Sequence, residues 1–115
     1  YSHTRACSIS RRASGLEQIP VSIPELEAMP SGLVELMRLM CCHNDVLEYS
    51  VEQQKTHIFA LHMLELANAY NGFYRDCHVL NDNLVDGFFY EISELGRSLL
   101  RTGLQGLGIS PIEQM

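Results

Sequence analysis

A chain of 115 residues fits one domain and is long enough to bury a core of its own. With 46% hydrophobic and 19% charged residues it is ordinary globular protein rather than a disordered segment, and no apolar run approaches the roughly 20 residues that a membrane span needs. The formal net charge of −6 argues against a nucleic-acid partner only as a bulk figure, because the charge is unevenly placed. Arg5, Arg11 and Arg12 stand without an acid before residue 17, Arg97 and Arg101 face a single acid, Glu113, after residue 96, and acids dominate between. If the two ends meet in the fold, they make one basic face on an acidic body.

Residues 1–13 can form a helix with Ala6, Ile9 and Ala13 facing inward. Residues 14–31 hold Pro20, Pro24 and Pro30, three of the four prolines, and their composition is that of a long connection. Ser31 is a candidate cap for a helix through Leu33, Leu36, Met37 and Met40, and Asn44 or Asp45 for a short one through Val46, Leu47 and Val51. From Thr56 the residues Phe59, Met63, Leu66, Tyr70, Phe73 and Cys77 recur at spacings of four and three, one unbroken apolar stripe on a long helix. The opposite stripe is Glu65, Asn68, Gly72 and Arg75. The run Asn81-Asp82-Asn83 breaks the pattern, with Asp82 or Asn83 as the cap of a last helix over about residues 84–104. That helix is expected to bury Val85, Phe88, Ile92, Leu95 and Leu99 and to expose Asp86, Tyr90, Glu94, Arg97 and Arg101. Gly96 and Gly103, seven apart, lie on one face and suggest the close approach of another helix. Gly106, Gly108 and Pro111 end the element. No strand-like alternation of useful length is present. The pattern therefore predicts an all-α bundle of about five helices, with the two long ones antiparallel and in contact, and no sheet of three or more strands.

Chemistry-bearing motifs are scarce. Cys7, Cys41, Cys42 and Cys77 include no CxxC pair and are expected to be reduced thiols. Cys41-Cys42-His43 lacks the usual zinc spacing, and His57 and His62, five apart, fall on different helix faces, so no metal site is expected. The glycines near residue 106 close a helix and do not follow a strand, so they are not a phosphate-cradling loop. No nucleophile or acid–base pair stands in a recognisable setting, and no catalytic residue is assigned. No basic segment followed by an apolar stretch reads as a secretory signal. Because residue 1 is Tyr and not Met, the chain is expected to be a fragment or a processed product.

Three segments carry a resemblance. Tyr1-Ser2-His3-Thr4-Arg5, with Ser8-Ile9 and Arg11-Arg12 after it, resembles the Tyr-Ala-His-Ala-Arg stretch and its sequel in arginyl-tRNA synthetases. Tyr70-Asn71-Gly72-Phe73-Tyr74, followed by Cys77-His78-Val79-Leu80, resembles that family's Phe-Asn-x-Phe-Tyr helix. Gly103-Leu104, Leu107-Gly108-Ile109 and Glu113-Gln114-Met115 resemble its closing Gly-Leu, Leu-Gly-Ile and Glu-Arg-Met. His78 and Gln114 stand where the family usually has Arg. The resemblance implies the C-terminal, DALR-type anticodon-binding domain of a class I tRNA synthetase over residues 1–115, with the catalytic domain upstream and absent. It implies a tRNA partner, an arginine-accepting tRNA gripped at its anticodon loop. The tRNA-binding residues would be Tyr1, Arg5, Arg12, Tyr74, Arg75 and Met115, with Arg5, Tyr74 and Met115 close together on one face built by the first helix and the tail. Arg38, within the acidic segment, is expected to lie outside that face. No cofactor is implied for this piece, while the parent would use ATP with Mg. A monomer in the cytoplasm is the default. A non-catalytic adaptor with the same type of domain, binding tRNA or a protein, is the alternative, and a pure protein-interaction bundle a third.

Overall fold

The long apolar stripe becomes the centre of the molecule. Phe59, Met63, Leu66, Tyr70 and Phe73 are all buried along one side of a 21-residue helix, and Cys77 is buried just beyond its end. A computed structural model describes residues 1–19, 22–81 and 84–113. In chain order its helices are α1 (Ser2–Ala13), α2 (Ser31–Cys41), α3 (His43–Glu52), α4 (Thr56–Asp76) and α5 (Gly87–Gly106), with a single tight turn at Leu26–Ala28. The fold class is all-α, and α4 is the spine against which the other four helices pack.

Small residues set how closely α2 and α4 cross. A methyl group added to Gly32 would lie 2.6 Å from the Gly72 carbonyl oxygen and 2.7 Å from Asp76 Oδ2, so glycine is the residue that permits the contact. At the same point the Gly32 amide donates to Asp76 Oδ2 at 3.1 Å, which satisfies one of the open N–H groups at the start of α2. Neither Ser31 nor Asn44 nor Asp45 caps its helix: Pro30 and Cys42 hold those positions, without a side-chain bond. Val46 is half-buried and Leu47 and Val51 are exposed, so α3 docks chiefly through His43 and Ser50.

The two long helices pair as expected. Tyr70 meets Ser93 and Gly96, and Met63 meets Gly103, so partners descend along α5 as they ascend along α4 and the helices run antiparallel. The contact face of α5 is the expected one in part: Phe88 is buried, as is Val85 just before the helix, and Gly96 and Gly103 meet α4 closely, but Leu95 and Leu99 depart from it. Ile92, Ser93, Gly96, Leu100 and Gly103 are buried, whereas Leu95 is 54% exposed and Leu99 half-buried. Gly96 and Gly103 share this face with Ile92 and Leu100 and set how closely the helices approach, since a Cβ on Gly96 would already lie 3.0 Å from the Tyr70 ring. The Tyr70 hydroxyl and Ser93 Oγ share a hydrogen bond of 2.8 Å inside the core, and burial pushes the Tyr70 pKa up to about 12.

A further departure joins the connection after α1 to the segment between α4 and α5. Strands β1 (Glu17–Ile19), β2 (Leu80–Asn81) and β3 (Leu84–Asp86) form a small three-stranded sheet in the order β1-β3-β2, with β1 parallel and β2 antiparallel to β3. The expectation of no such sheet is therefore wrong. Strands of two or three residues are too short to show alternation, and burial of Val79 and Val85 rather than a periodic pattern holds the ribbon to the core. The last helix consequently starts at Gly87, not near residue 84. Its cap is Asp86, whose carboxylate accepts from the Phe89 amide at 3.0 Å; the expected caps, Asp82 and Asn83, lie outside the described residues.

One buried pair had no expression in the sequence spacing. His43 Nδ1 and His62 Nε2 are 2.9 Å apart beside the Phe59 ring, one imidazole donating and the other accepting. Burial lowers the pKa of both, and for His43 the neighbouring His62 adds to the effect.

Candidate nucleic-acid interface

Helical spacing assembles the site. On α1, Arg5 and Arg12 are seven residues apart and so share a face; on α4, Asn68, Asn71 and Arg75 do the same. These faces look across at α2, and together with residues 77–80 they line an open groove of about 1330 Å³. Gly72 and Gly32 form the part of its lining where α2 and α4 touch.

The most structured feature of the groove is a stack. The Arg5 guanidinium carbon lies 4.3 Å from the centre of the Tyr1 ring and 4.6 Å from that of Tyr74, so the cation is sandwiched between two aromatic faces. It also donates to the Tyr1 hydroxyl. Tyr1 is 68% exposed and Tyr74 38%, so both rings keep surface open to solvent, and Tyr74 is not a core aromatic. An exposed aromatic beside a cation can stack an unpaired base, at about 1–3 kcal/mol per base.

The groove contains four arginines with different electrostatic standing. Arg38 is bound to Glu35 through two hydrogen bonds of 2.6 and 3.1 Å, and Arg75 to Asp76 at 2.9 Å. Those hydrogen bonds hold the Glu35 and Asp76 carboxyls below their usual pKa. Arg5 and Arg12 form no ion pair among the described residues. They are therefore the cations free to meet a phosphate. Arg38 was expected away from the site; it lines the groove, because α2 forms the opposite wall.

The two ends of the chain do meet. His3 Nδ1 and the Thr4 hydroxyl reach the Ile112 carbonyl at 3.1 and 2.8 Å, and Arg11 donates to the Glu113 carbonyl at 3.0 Å. Thr4 and Arg11 lie on the face of α1 next to that of Arg5 and Arg12, and the buried His3 lies on the opposite side. The basic residues accordingly divide instead of forming one face: Arg101 lines a separate recess of about 230 Å³ with His3, and Arg97 is bound to Glu94 at 2.7 Å. Tyr1, Arg5 and Tyr74 are brought together, Arg12 and Arg75 line the same groove, and Met115 lies outside the described residues. Asn71, which touches Arg5 from below, was not picked out by sequence; its place beside Tyr70 in the aromatic motif is the signal that marks it. Among the described residues no three His, Cys, Asp or Glu side chains cluster as a metal would require, and all four cysteines are free thiols.

Comparison with known families gives one match over the entire chain, residues 1–115, to the DALR anticodon binding domain. The chain belongs to the DALR anticodon-binding family. An arginine–tRNA ligase of Archaeoglobus fulgidus is 36% identical over 120 residues, covering 100% of this DALR domain and 21% of the ligase. That of Methanocaldococcus jannaschii is 34% identical over 115 residues, covering 96% and 20%. A bacterial relative, the arginine–tRNA ligase of Ligilactobacillus salivarius, is 26% identical over 115 residues, with 100% and 20% covered. The chain thus spans about a fifth of the length of the curated relatives it matches. Within it the DALR domain holds the stacked arginine at the mouth of a groove on an all-α scaffold, and among the described residues no helix is long and apolar enough to cross a membrane.

Proposed function

We propose that this DALR domain recognises the anticodon loop of an arginine-accepting tRNA as a single, separately folded part of an arginine–tRNA ligase. The observation that carries this is the Tyr1–Arg5–Tyr74 stack opening on a groove with two uncompensated arginines. Sequence-specific RNA recognition targets loops whose bases can be splayed onto aromatic faces and hydrogen-bonded at their edges, and an anticodon loop is such a target. Tyr1 and Tyr74 stack the bases, Arg5 and Arg12 meet phosphate or base edge, Arg75 supports the same wall, and Met115 is a tRNA contact on the motif resemblance. Arginine activation, with its ATP and Mg, belongs to the catalytic part of the parent, which acts in the cytoplasm as a monomer.

The test is aminoacylation by the full-length protein across tRNA concentration. Arg5→Ala and Tyr74→Ala each lower kcat/KM for tRNA about tenfold, from a lost contact of about 1–3 kcal/mol, and leave KM for ATP and arginine unchanged. Lys55→Ala, at the start of α4 and outside the groove, is the control. Binding weakens with salt by about 0.7 decades per decade for each single-strand phosphate neutralised, so removing both Arg5 and Arg12 lowers the slope by about 1.4. If both site variants fold and retain full kcat/KM for tRNA, the adaptor reading replaces this one.

A further inference from the structure

Asn71 sits on α4 directly under the stacked arginine. Its Oδ1 accepts from the Ser2 hydroxyl at 3.1 Å and lies 3.5 Å from Arg5 NH1, the long end of hydrogen-bond range. A guanidinium carries five N–H donors and no acceptor, so an amide can meet it only through its oxygen, and Arg5 thereby fixes which way the Asn71 amide is turned. Among the described residues the other acceptor for this guanidinium is the Tyr1 hydroxyl, and no carboxylate pairs with it. The neighbouring arginines of the groove differ: Arg75, four residues further along α4, is held by Asp76, and Arg38 by Glu35. Each is neutralised where it stands.

We propose, on the basis of the tRNA reading above, that Asn71 is a positioning residue: a neutral tether that holds the Arg5 guanidinium between the two tyrosine rings without cancelling its charge. An aspartate has the same length and would hold the guanidinium more strongly, since a charge-assisted bond is roughly twice as strong as a neutral one. It would also remove the net positive charge that the RNA must meet. Position and charge are separate requirements here, and the amide satisfies both. Ser2, which also lies 2.9 Å from the Ala67 carbonyl, ties the start of α1 to the same point of α4.

The experiment measures tRNA affinity of the full-length protein by fluorescence anisotropy for wild type, Arg5→Ala, Asn71→Ala, the double variant and Asn71→Asp, with thermal melts as the folding control. Arg5→Ala weakens binding about tenfold and Asn71→Ala about three- to fivefold. The double variant is no weaker than Arg5→Ala to within about twofold, because the tether has nothing left to hold. Asn71→Asp melts no lower than wild type yet binds less tightly, and its deficit shrinks as added salt screens the new charge. The proposal is overturned if Asn71→Ala costs as much without Arg5 as with it, or if Asn71→Asp binds as tightly as wild type. An Arg5→Ala variant with wild-type affinity would instead overturn the tRNA reading itself, and this role with it.

Discussion

Replacing Gly32 by alanine tests whether backbone proximity builds the groove. The new Cβ would lie 2.6 Å from the Gly72 carbonyl oxygen, well inside the contact of about 3.3–3.6 Å usual between carbon and oxygen. The obstacle is main chain, so no side chain can rotate away, and α2 must lift from α4. Overpacking of this kind costs about 1–3 kcal/mol. Lifting also stretches the 3.1 Å bond from the Gly32 amide to Asp76, while the better helix propensity of alanine returns up to about 1 kcal/mol. A net loss of about 1–3 kcal/mol remains, which for a domain of this size lowers Tm by roughly 5–15 °C. Circular-dichroism melts read it directly. Gly106→Ala is the matched control, because a Cβ there meets nothing within 4 Å and should raise Tm slightly. A Gly32→Ala protein that melts at or above wild type would refute the close-approach argument.

Three further outcomes follow from polar groups in the core and at the start of α5. The His43–His62 pair has pKa values lowered from 6.5, so the unfolded chain protonates first; stability is complete above about pH 6.5 and declines as pH falls toward the lowered folded values. Melts from about pH 7.5 to 5.5 should be flatter for the His43→Asn, His62→Gln variant than for wild type, and equal slopes would exclude the pair as the cause. Ser93→Ala leaves the Tyr70 hydroxyl buried without its partner and should cost about 1–3 kcal/mol in urea unfolding, most of it recovered when Tyr70→Phe is added. Asp86→Ala removes the cap of α5 and should cost about 1 kcal/mol, with Asp86→Asn close to wild type; equal loss in both would mean that the cap bond is not the cause.

Legibility in the sequence tracked the size of the side chains that do the packing. The α4 stripe could be read because large apolar residues carry it, and every one of them is buried. The α5 face is legible in part: Phe88 and Ile92 are buried, as is Val85 just before the helix, and Gly96 and Gly103 admit α4 closely, as their spacing suggests, but hydropathy gives Ser93 no direction and favours Leu95, which faces solvent. The ribbon of β1, β2 and β3 escaped because its pairing is between distant segments and each strand is shorter than one period of pattern. At the groove, motif resemblance drew attention to Tyr1, Arg5 and Tyr74, but spacing alone could not bring α1 beside α4. For the same reason spacing leaves Arg38 remote although it lines the site, and the motif that contains Asn71 does not reveal that its amide meets Arg5.

The bonds that tie down α1 have a kinetic meaning. They join residues 65 to 109 positions apart, from Ser2 with Ala67 to His3 with Ile112, whereas His43 and His62, which join α3 to α4, are only 19 apart. Loop-closure entropy makes the longest of these about 1.5 kcal/mol harder to close than the shortest, so the hairpin of α3 and α4 should condense early and α1 should dock late. Yet α1 brings Arg5 and Arg12. A chain stalled before that docking step still carries both cations, but on a tethered segment away from Tyr74 and the groove, so the proposed RNA-binding face is the last part of the domain to be assembled.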